Sequence, residues 1–336
     1  MSAKASLSIA VVAITISALY FSFNKLRNSS PGNPLRVLSY GSFSSSWGPG
    51  PELAEAFRSE SGIDVQFYSA GDAGLILKKL DLMPADVVLG FDELQLPEAR
   101  AARPWQNIER IAPGRVNARF RDPQFVAFDW APLTFVFRNA EIAPPTSLED
   151  LLDARFRGQI ALEDPRTSAP GLQFFLWVLD DLGIDEGFRY FVKLKSNIRS
   201  VASGWTEAYG SFTSKGGALL VFSYQTSPVY HWVSEHDLRY RAAEFSDGHP
   251  AQIEYAAIPR DCVKCIEGEK FLDFLLSPRA QKILMTKNFM MPVLDSVRSG
   301  TEFAKLPELK LRAWKNLPEL LAKRGELFSR WRELGM

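Results

Sequence analysis

The chain has few of the residues that hold metal ions or act as thiol nucleophiles. It contains 2 cysteines and 3 histidines among 336 residues. A zinc site built on both cysteines would need two further ligands, and the histidines show no metal-ligand spacing. Cys262 and Cys265 have two residues between them, a spacing that fits a local disulfide in an oxidising compartment or two free thiols. A metal or redox role for the pair is the third interpretation.

The chain also lacks an excess of charge of either sign. Lys and Arg together number 39, as do Asp and Glu. This balance argues against nucleic-acid binding, which needs a basic surface. The chain has no P-loop motif, internal repeat or low-complexity tract. With 46% hydrophobic and 23% charged residues it has an ordinary globular composition, and its length suffices for two lobes.

The N-terminus differs from the rest of the chain. Lys4 precedes residues 5–24, which carry no charge, and positive charge returns at Lys25 and Arg27. This pattern predicts either a cleaved export signal or a retained membrane anchor. No cysteine follows the segment, so a lipid-modified cysteine is excluded. We therefore expect the residues after about 30 to lie outside the cytoplasmic membrane.

Apolar β-type runs alternate with helical spacing along the rest of the chain. Strands are predicted at 35–40, 63–68, 85–90, 125–137, 158–163, 198–203, 218–224 and 253–258, and helices at 75–82, 172–182, 270–287 and 308–334. This alternation indicates an α/β fold with mostly parallel sheets and flanking helices. Polar and aromatic residues recur at strand ends, which predicts one shared ligand cleft.

Residues 203–231 combine aromatic rings with small hydroxyls. Trp205, Tyr209, Tyr224 and Tyr230 supply flat faces, and Ser223 is one of several hydroxyl groups among them. This mixture suits a flat, partly cationic, phosphate-bearing small molecule better than it suits a hydrolase. Asp129 and Asp164 end strands as catalytic carboxylates do, but no nucleophile or histidine is tied to them.

Eight short motifs in order give the chain a family resemblance. They lie at residues 40–51, 85–92, 125–129, 164–171, 204–210, 223–231, 245–249 and 288–293. Among them are Gly204-Trp-x-Glu-Ala-Tyr-Gly210 and Ser223-Tyr-x-Thr-Ser-Pro-x-Tyr-His231. With these motifs the chain resembles the periplasmic thiamine-binding proteins of ABC importers, within the type II extracellular solute-binding family.

The resemblance implies a two-lobed periplasmic binding protein (type II) fold with the ligand cleft between the lobes. The expected order is a signal peptide or anchor plus linker at 1–34, the first part of lobe 1 at 35–130 and lobe 2 at 131–254. The return to lobe 1 is expected at 255–300 and C-terminal helices at 301–336. The crossing strands near 128–139 and 253–258 are the expected hinges.

The resemblance also implies a set of ligand-binding residues. They are Tyr40, Trp47, Asp72, Ser168, Trp205, Tyr224, Tyr230 and Phe289. The ring of Phe289 stands where relatives place a tryptophan, and Gly41 stands where a close relative carries an aspartate. No catalytic residue, metal ligand or cofactor is implied.

Each of these side chains has a physical role to offer a thiazolium-containing ligand. Trp205, Tyr224 and Trp47 can face the cation, each such contact stabilising it by about 0.5–2 kcal/mol. Asp72 either accepts a hydrogen bond from the aminopyrimidine or caps the following helix, and one residue can do both. Ser168 precedes a helix and suits a phosphate at its N-terminus. Arg166 either pairs with a phosphate or forms a structural ion pair.

The implied function is capture of thiamine, or of its phosphate esters, by a monomer that delivers it to the membrane permease of an ABC importer. Two alternatives remain. The first is binding of another cationic solute or a metal ion on the same fold, although the adjacent Tyr-Tyr pair of ferric-ion binders does not occur here. The second is a thiaminase-like enzyme, which needs a cysteine nucleophile in the cleft.

Overall fold

Ten strands and their flanking helices make up the protein in a computed structural model that describes residues 32–111 and 116–336. The predicted export signal or anchor lies outside these residues. Among the described helices, none combines the length and the apolar composition that crossing a membrane requires.

The strands pair into one continuous path, β2-β1-β3-β9-β4-β7-β5-β6, and the short strands β8 and β10 both pair with β4. Their bounds are β1 Leu35–Ser39, β2 Val65–Ser69, β3 Val87–Asp92, β4 Val126–Arg138, β5 Ile160–Glu163, β6 Ile198–Ala202, β7 Leu220–Tyr224, β8 Tyr240–Ala242, β9 Ala251–Ala257 and β10 Met291–Pro292.

The direction of each pairing divides the sheet into two parts. The pairings β1–β2, β1–β3, β5–β6 and β5–β7 are parallel, as the alternating sequence pattern predicts. Every antiparallel pairing involves β4 or β9, the two strands that run between the parts. We call the part with β1, β2, β3 and β9 the first lobe and the part with β5, β6 and β7 the second lobe.

Strand β4 belongs to both lobes. Its residues from Val126 to Pro132 pair with β9, and those from Leu133 to Phe137 pair with β7. All but one of its residues are buried. The Ala-Pro pair at 131–132 does not interrupt the strand. Proline has no N–H to donate, and here it stands where the pairing partner changes.

The helices pack on the faces of the two lobes. Their bounds are α1 Gly41–Ser44, α2 Pro49–Ser61, α3 Ile76–Leu80, α4 Leu96–Ala102, α5 Ala169–Leu182, α6 Ile184–Leu194, α7 Trp205–Thr213, α8 Ser227–Tyr230, α9 Cys265–Leu275, α10 Pro278–Ile283, α11 Asp295–Arg298, α12 Leu317–Ala322 and α13 Arg324–Glu333. Helix α5 has Pro170 in its first turn, where a missing N–H costs no hydrogen bond.

Each lobe has its own hydrophobic core. The first core contains Leu38, Val88 and Phe128, and the second contains Phe135 and Trp177. The C-terminal helices α12 and α13 add Leu320, Leu327 and Trp331 to the second core. This packing attaches the C-terminal segment to the second lobe.

Two long predicted helices differ from the structure. Residues 308–316 are not helical, because the chain there pairs at Leu311 with His249 before α12 begins. The helix predicted at 270–287 begins earlier, at Cys265, and is divided at Ser277, which caps α10 and precedes Pro278. A proline is favoured in the first turn of a helix and disfavoured in its interior, so a new helix begins there.

Candidate functional site

Tyr40 lies at the centre of a hydrogen-bonded group between the first lobe and the crossing strands. Its hydroxyl donates to Glu254 Oε2 at 2.6 Å and accepts from Asn288 Nδ2 at 2.9 Å. Asn288 also donates to Asp129 Oδ2 at 2.8 Å. Gly90, at φ 102°, leaves the space that the Tyr40 ring occupies. Burial, followed by the nearby Glu254 carboxyl, raises the pKa of Tyr40 well above its usual value.

Asp129 and Glu254 are direct partners in the antiparallel pairing of β4 and β9. Both are buried. Burial, more than any neighbour, raises the pKa of Glu254 to about 7 and that of Asp129 well above its usual range. The strands that cross between the lobes therefore carry a pair of carboxyl groups that bind protons more readily than carboxyls in water.

Asp72 joins the two lobes through backbone hydrogen bonds. Its Oδ1 accepts from Gly74 N at 3.1 Å and Ala169 N at 3.3 Å, and its Oδ2 accepts from Trp205 N at 3.2 Å. The bond from Gly74 caps the short 3₁₀ helix Ala73–Leu75, so the capping interpretation of Asp72 is confirmed. Ala169 and Trp205 begin α5 and α7 in the second lobe. Burial raises the pKa of Asp72 to about 6 despite these three donors.

Trp205 and Tyr224 form the aromatic wall of the second lobe. The Trp205 indole stacks on Tyr209, with ring centroids 5.0 Å apart, and its Nε1 donates to Ser223 Oγ at 2.8 Å. The Tyr224 ring lies 6.4 Å from that of Trp205. Tyr209 is buried in the packing beneath, with its hydroxyl 3.0 Å from His231 Nε2. Tyr209 is therefore a core residue that supports the Trp205 ring from behind.

Ser168 directly precedes α5, as the sequence predicts, but it makes no side-chain capping bond. Its hydroxyl is buried and has no hydrogen-bond partner among the described residues. The N–H of Ala169, which an anion at this helix start would use, already donates to Asp72. The guanidinium of Arg166 forms an ion pair and donates a hydrogen bond to the carboxylate of Asp164, so the structural ion-pair interpretation holds for Arg166.

Tyr230 and Phe289 meet at the outer side of the site. Their rings pack edge to face with centroids 5.4 Å apart, and the Tyr230 side chain is 41% exposed. Phe289 has a φ of 54°, a left-handed conformation that is uncommon outside glycine. The residue ends the π-helical turn Leu284–Asn288, so its backbone turns sharply just after Asn288.

Trp47 stands apart from the other predicted site residues. It lies between α1 and α2 and is 57% exposed. Within the described part of the chain it makes none of the ring contacts that join Trp205 to Tyr224 and Tyr230 to Phe289. The structure thus brings seven of the eight predicted residues to the junction of the lobes or its outer side and leaves Trp47 on an exposed loop.

Four carboxyl groups lie near Tyr224, and two of them, Glu163 and Glu254, were not predicted from the sequence. Asp72, Asp129, Glu163 and Glu254 all lie close enough to raise the pKa of the Tyr224 hydroxyl, after burial, which is the larger cause. Glu163 and Glu254 were missed because each sits in a strand whose other residues are mostly apolar. A lone carboxyl in such a run is the sequence signal that could have revealed them, since buried carboxyls need a partner.

The histidines and cysteines are engaged elsewhere. His231 and His249 are buried in packing, and His231 stacks on Tyr240 with centroids 3.5 Å apart. Cys262 and Cys265 form a disulfide in the first lobe, at the start of α9. Over residues 32–111 and 116–336, no group of three or more His, Cys, Asp and Glu side chains is arranged to hold a metal ion.

The family match and the most similar relatives of this chain agree with each other. Residues 84–317 match the family described as bacterial extracellular solute-binding protein. The chain is 37% identical over 265 residues to the thiamine-binding periplasmic protein of Brucella melitensis, covering 77% of this chain and 78% of the relative. It is 34% identical over 304 residues to the thiamine-binding periplasmic protein of Escherichia coli, covering 88% and 92%.

Solved structures agree with this match. A periplasmic thiamin binding protein superimposes with a TM-score of 0.82 at 34% identity, covering 89% of this chain and 95% of that one. An apo ferric ion-binding protein A from Pasteurella haemolytica superimposes with a TM-score of 0.75 at 16% identity, which shows a shared fold alone. The chain therefore belongs to the bacterial extracellular solute-binding proteins, in one family with the thiamine-binding periplasmic proteins.

Proposed function

We propose that this protein binds thiamine, or a phosphate ester of it, outside the cytoplasmic membrane and delivers it to the permease of an ABC importer. The observation that carries the proposal is the meeting of aromatic faces and buried carboxyls at the junction of the lobes. Trp205 and Tyr224 supply the faces, and Asp72, Asp129 and Glu254 supply the carboxyl groups. Thiazolium has a positive charge but no N–H, so rings and carboxylates are suitable partners.

Electrostatics favours a cationic ligand at this site. Three of the carboxyls around Tyr224 are buried and that of Asp72 is half-buried, and removal from water penalises their charged forms. A cation placed among them would compensate that penalty, whereas a neutral solute would not. The named relatives are thiamine-binding periplasmic proteins, which favours thiamine among cations of similar charge.

The proposed role is binding by a monomer, without catalysis and without a nucleic-acid partner. A thiaminase-like reaction needs a cysteine thiolate beside the ligand. The two cysteines of this sequence are bonded to each other, beside Gln106 and Asp86 rather than among the aromatic residues of the site. The ligand would enter while the lobes are apart and be enclosed when the hinge strands bring them together.

Calorimetric titration of the exported domain with thiamine tests the proposal. We expect one-to-one binding, unchanged thiamine by mass spectrometry, and a large loss of affinity in Trp205→Ala. Trp314→Ala is the matched control, because Trp314 packs against the second core rather than the site. Absence of heat with thiamine would refute the assignment and direct attention to other cationic solutes. Cleaved thiamine in the mixture would favour the alternative of a thiaminase-like enzyme.

A further inference from the structure

We infer that Glu163 binds the amino-bearing edge of the ligand's pyrimidine ring, an inference that rests on the proposed binding of thiamine. This edge presents an N–H₂ donor next to a ring-nitrogen acceptor. A protonated carboxyl group is complementary to both, because its carbonyl oxygen accepts and its O–H donates at the same spacing. Among the carboxyls around Tyr224, that of Glu163 has both oxygens unpaired within the described part of the chain.

Glu163 is buried without any partner for its carboxyl group. The residue is 2% exposed, and neither Oε1 nor Oε2 has a hydrogen-bond partner among the described residues. Buried polar groups in proteins are nearly always satisfied, so an unpaired carboxyl at a binding site indicates a missing donor. Asp72, the other candidate for the amino group, already accepts three backbone N–H bonds across the lobe junction.

The strand that carries Glu163 directs its side chain toward the aromatic wall. In β5, Ile160 and Leu162 contribute to the second core, whereas Ala161 packs in a smaller cluster with Tyr209 and partly buried Trp205. Side chains alternate along a strand, so Glu163 lies on the same face as Ala161. The effect of the Glu163 carboxyl on the pKa of Tyr224 agrees with this direction.

The segment that follows Glu163 faces the first lobe. A side chain at Gly74 would come within 2.6 Å of Thr167 O and 3.2 Å of Ser168 N, so this segment lies against the loop that carries Asp72. Ser168 provides a second buried, unpaired group there, its hydroxyl. Gly171 lets α5 begin directly against the backbone of Glu163, which holds the carboxyl and the hydroxyl on one side of the junction.

The protonation state suits the pyrimidine edge. Burial, with a smaller effect from Asp72, raises the pKa of Glu163 well above its usual range, so the neutral acid is favoured. In that form the O–H donates to the ring nitrogen and the carbonyl oxygen accepts from the amino group. Both bonds form without transfer of charge, and an unpaired carboxyl no longer remains in the closed protein.

The test compares thiamine with 4′-deaminothiamine, in which hydrogen replaces the amino group and the ring nitrogen remains an acceptor. Binding of both is measured by calorimetry for the wild type, Glu163→Met and Glu163→Gln. Methionine fills similar space without hydrogen-bonding groups, whereas the glutamine amide can donate to the ring nitrogen and accept from the amino group. Glu186→Gln, at an exposed carboxyl paired with Arg189, is the matched control. Thermal unfolding verifies that each variant is folded.

We expect the wild type to prefer thiamine on the order of 10- to 100-fold, because the deaminated ligand leaves the buried carbonyl oxygen of Glu163 without its donor. Glu163→Met is expected to lose that preference, and Glu163→Gln to retain most of it. A folded Glu163→Met protein that keeps the preference would overturn the inference. An equal loss of this preference in both variants would also overturn the inference and would favour Glu163 as a charged counter-ion. If the wild type binds no thiamine at all, the proposed function itself fails.

Discussion

The Asp72 carboxylate accepts a hydrogen bond of 3.2 Å from the backbone N–H of Trp205, although the two residues lie 133 positions apart and on different lobes. The same carboxylate accepts from Ala169 at the start of α5. Asp72 thereby holds the first turns of two second-lobe helices against a first-lobe loop. Negative charge is stabilised at helix N-termini, so the contact favours the arrangement with the lobes close together.

Gly74→Ala is expected to weaken ligand binding by about 10-fold, roughly 1.4 kcal/mol. The added Cβ would lie 2.6 Å from Thr167 O, which is backbone of the opposite lobe and cannot move aside alone. Calorimetry with thiamine measures the effect, and small-angle scattering would show a larger radius of gyration. Gly210→Ala is the control, because a Cβ there meets nothing within 4 Å. Equal affinity in both variants would contradict the expected clash between lobes.

The unliganded protein is expected to lose stability as the pH rises from about 4 to about 7. Burial raises the pKa of Asp72 from 3.8 to about 6, and those of Glu93 and Glu254 from 4.5 to about 7. In this window the folded protein therefore holds more protons than the unfolded chain. As the pH rises, the titration of each group lowers the free energy of unfolding by up to about 1.4 kcal/mol per pH unit. The stabilising effect of the bound proton is fully present only below the pKa that the group has in the unfolded chain.

Urea unfolding at several pH values measures this dependence. Glu254→Gln removes one of the titrating groups, so its stability should fall less steeply between pH 4.5 and about 7. Glu186→Gln should follow the wild type, because that carboxyl is exposed and the hydrogen bond from Arg189 lowers its pKa instead of raising it. A wild-type profile that rises through this range would show that the buried carboxyls do not hold protons as described.

Tyr40→Phe is expected to destabilise the protein by about 1–3 kcal/mol, more than Tyr190→Phe does. The Tyr40 hydroxyl bonds to a buried carboxyl and to Asn288, so its removal breaks two hydrogen bonds at once. The Tyr190 hydroxyl makes a single bond of 2.7 Å to the Leu148 carbonyl. Denaturant unfolding at neutral pH compares the two variants, and a smaller loss in Tyr40→Phe would argue against the hydrogen-bonded group at the crossing strands.

Replacing both cysteines by serine is expected to cost about 2 kcal/mol of stability, the value that loop-closure entropy gives for so short a loop. Ligand affinity should stay unchanged. The disulfide fixes a turn whose N–H groups, from Val263 and Lys264, donate to Asp86, and Asp86 pairs with Arg36. Comparison of oxidised wild type and the double variant by urea unfolding and calorimetry tests both statements. A tenfold loss of affinity would place the turn in the binding mechanism instead.

The sequence predicted most strands, because β5, β7 and β9 are apolar runs bounded by polar segments. It also predicted residues that stand at strand ends, such as Tyr40 and Asp72. The partners of these residues depend on pairing across the sheet: Glu254 lies beside Asp129 only because β9 returns antiparallel to β4. The helical spacing at 308–316 was misleading, since pairing at Leu311 with His249 outweighs local preference there.

The role of Asp72 could not be decided from the sequence for the same reason, because two of its donors come from the other lobe. The role of Arg166 depends instead on a local contact. Arg166 finds its partner only two residues away, at Asp164. Glu163 was overlooked because a single polar residue at the end of an apolar strand carries no periodic signal.

Strand β4 is shared between the lobes, and this has a consequence for how the protein unfolds. Its Val126–Pro132 half completes the first sheet, and its Leu133–Phe137 half completes the second. Neither lobe can lose this strand without removing a buried central neighbour from the other. The two lobes should therefore melt as one cooperative unit, with a single calorimetric transition, even though each has a hydrophobic core of its own.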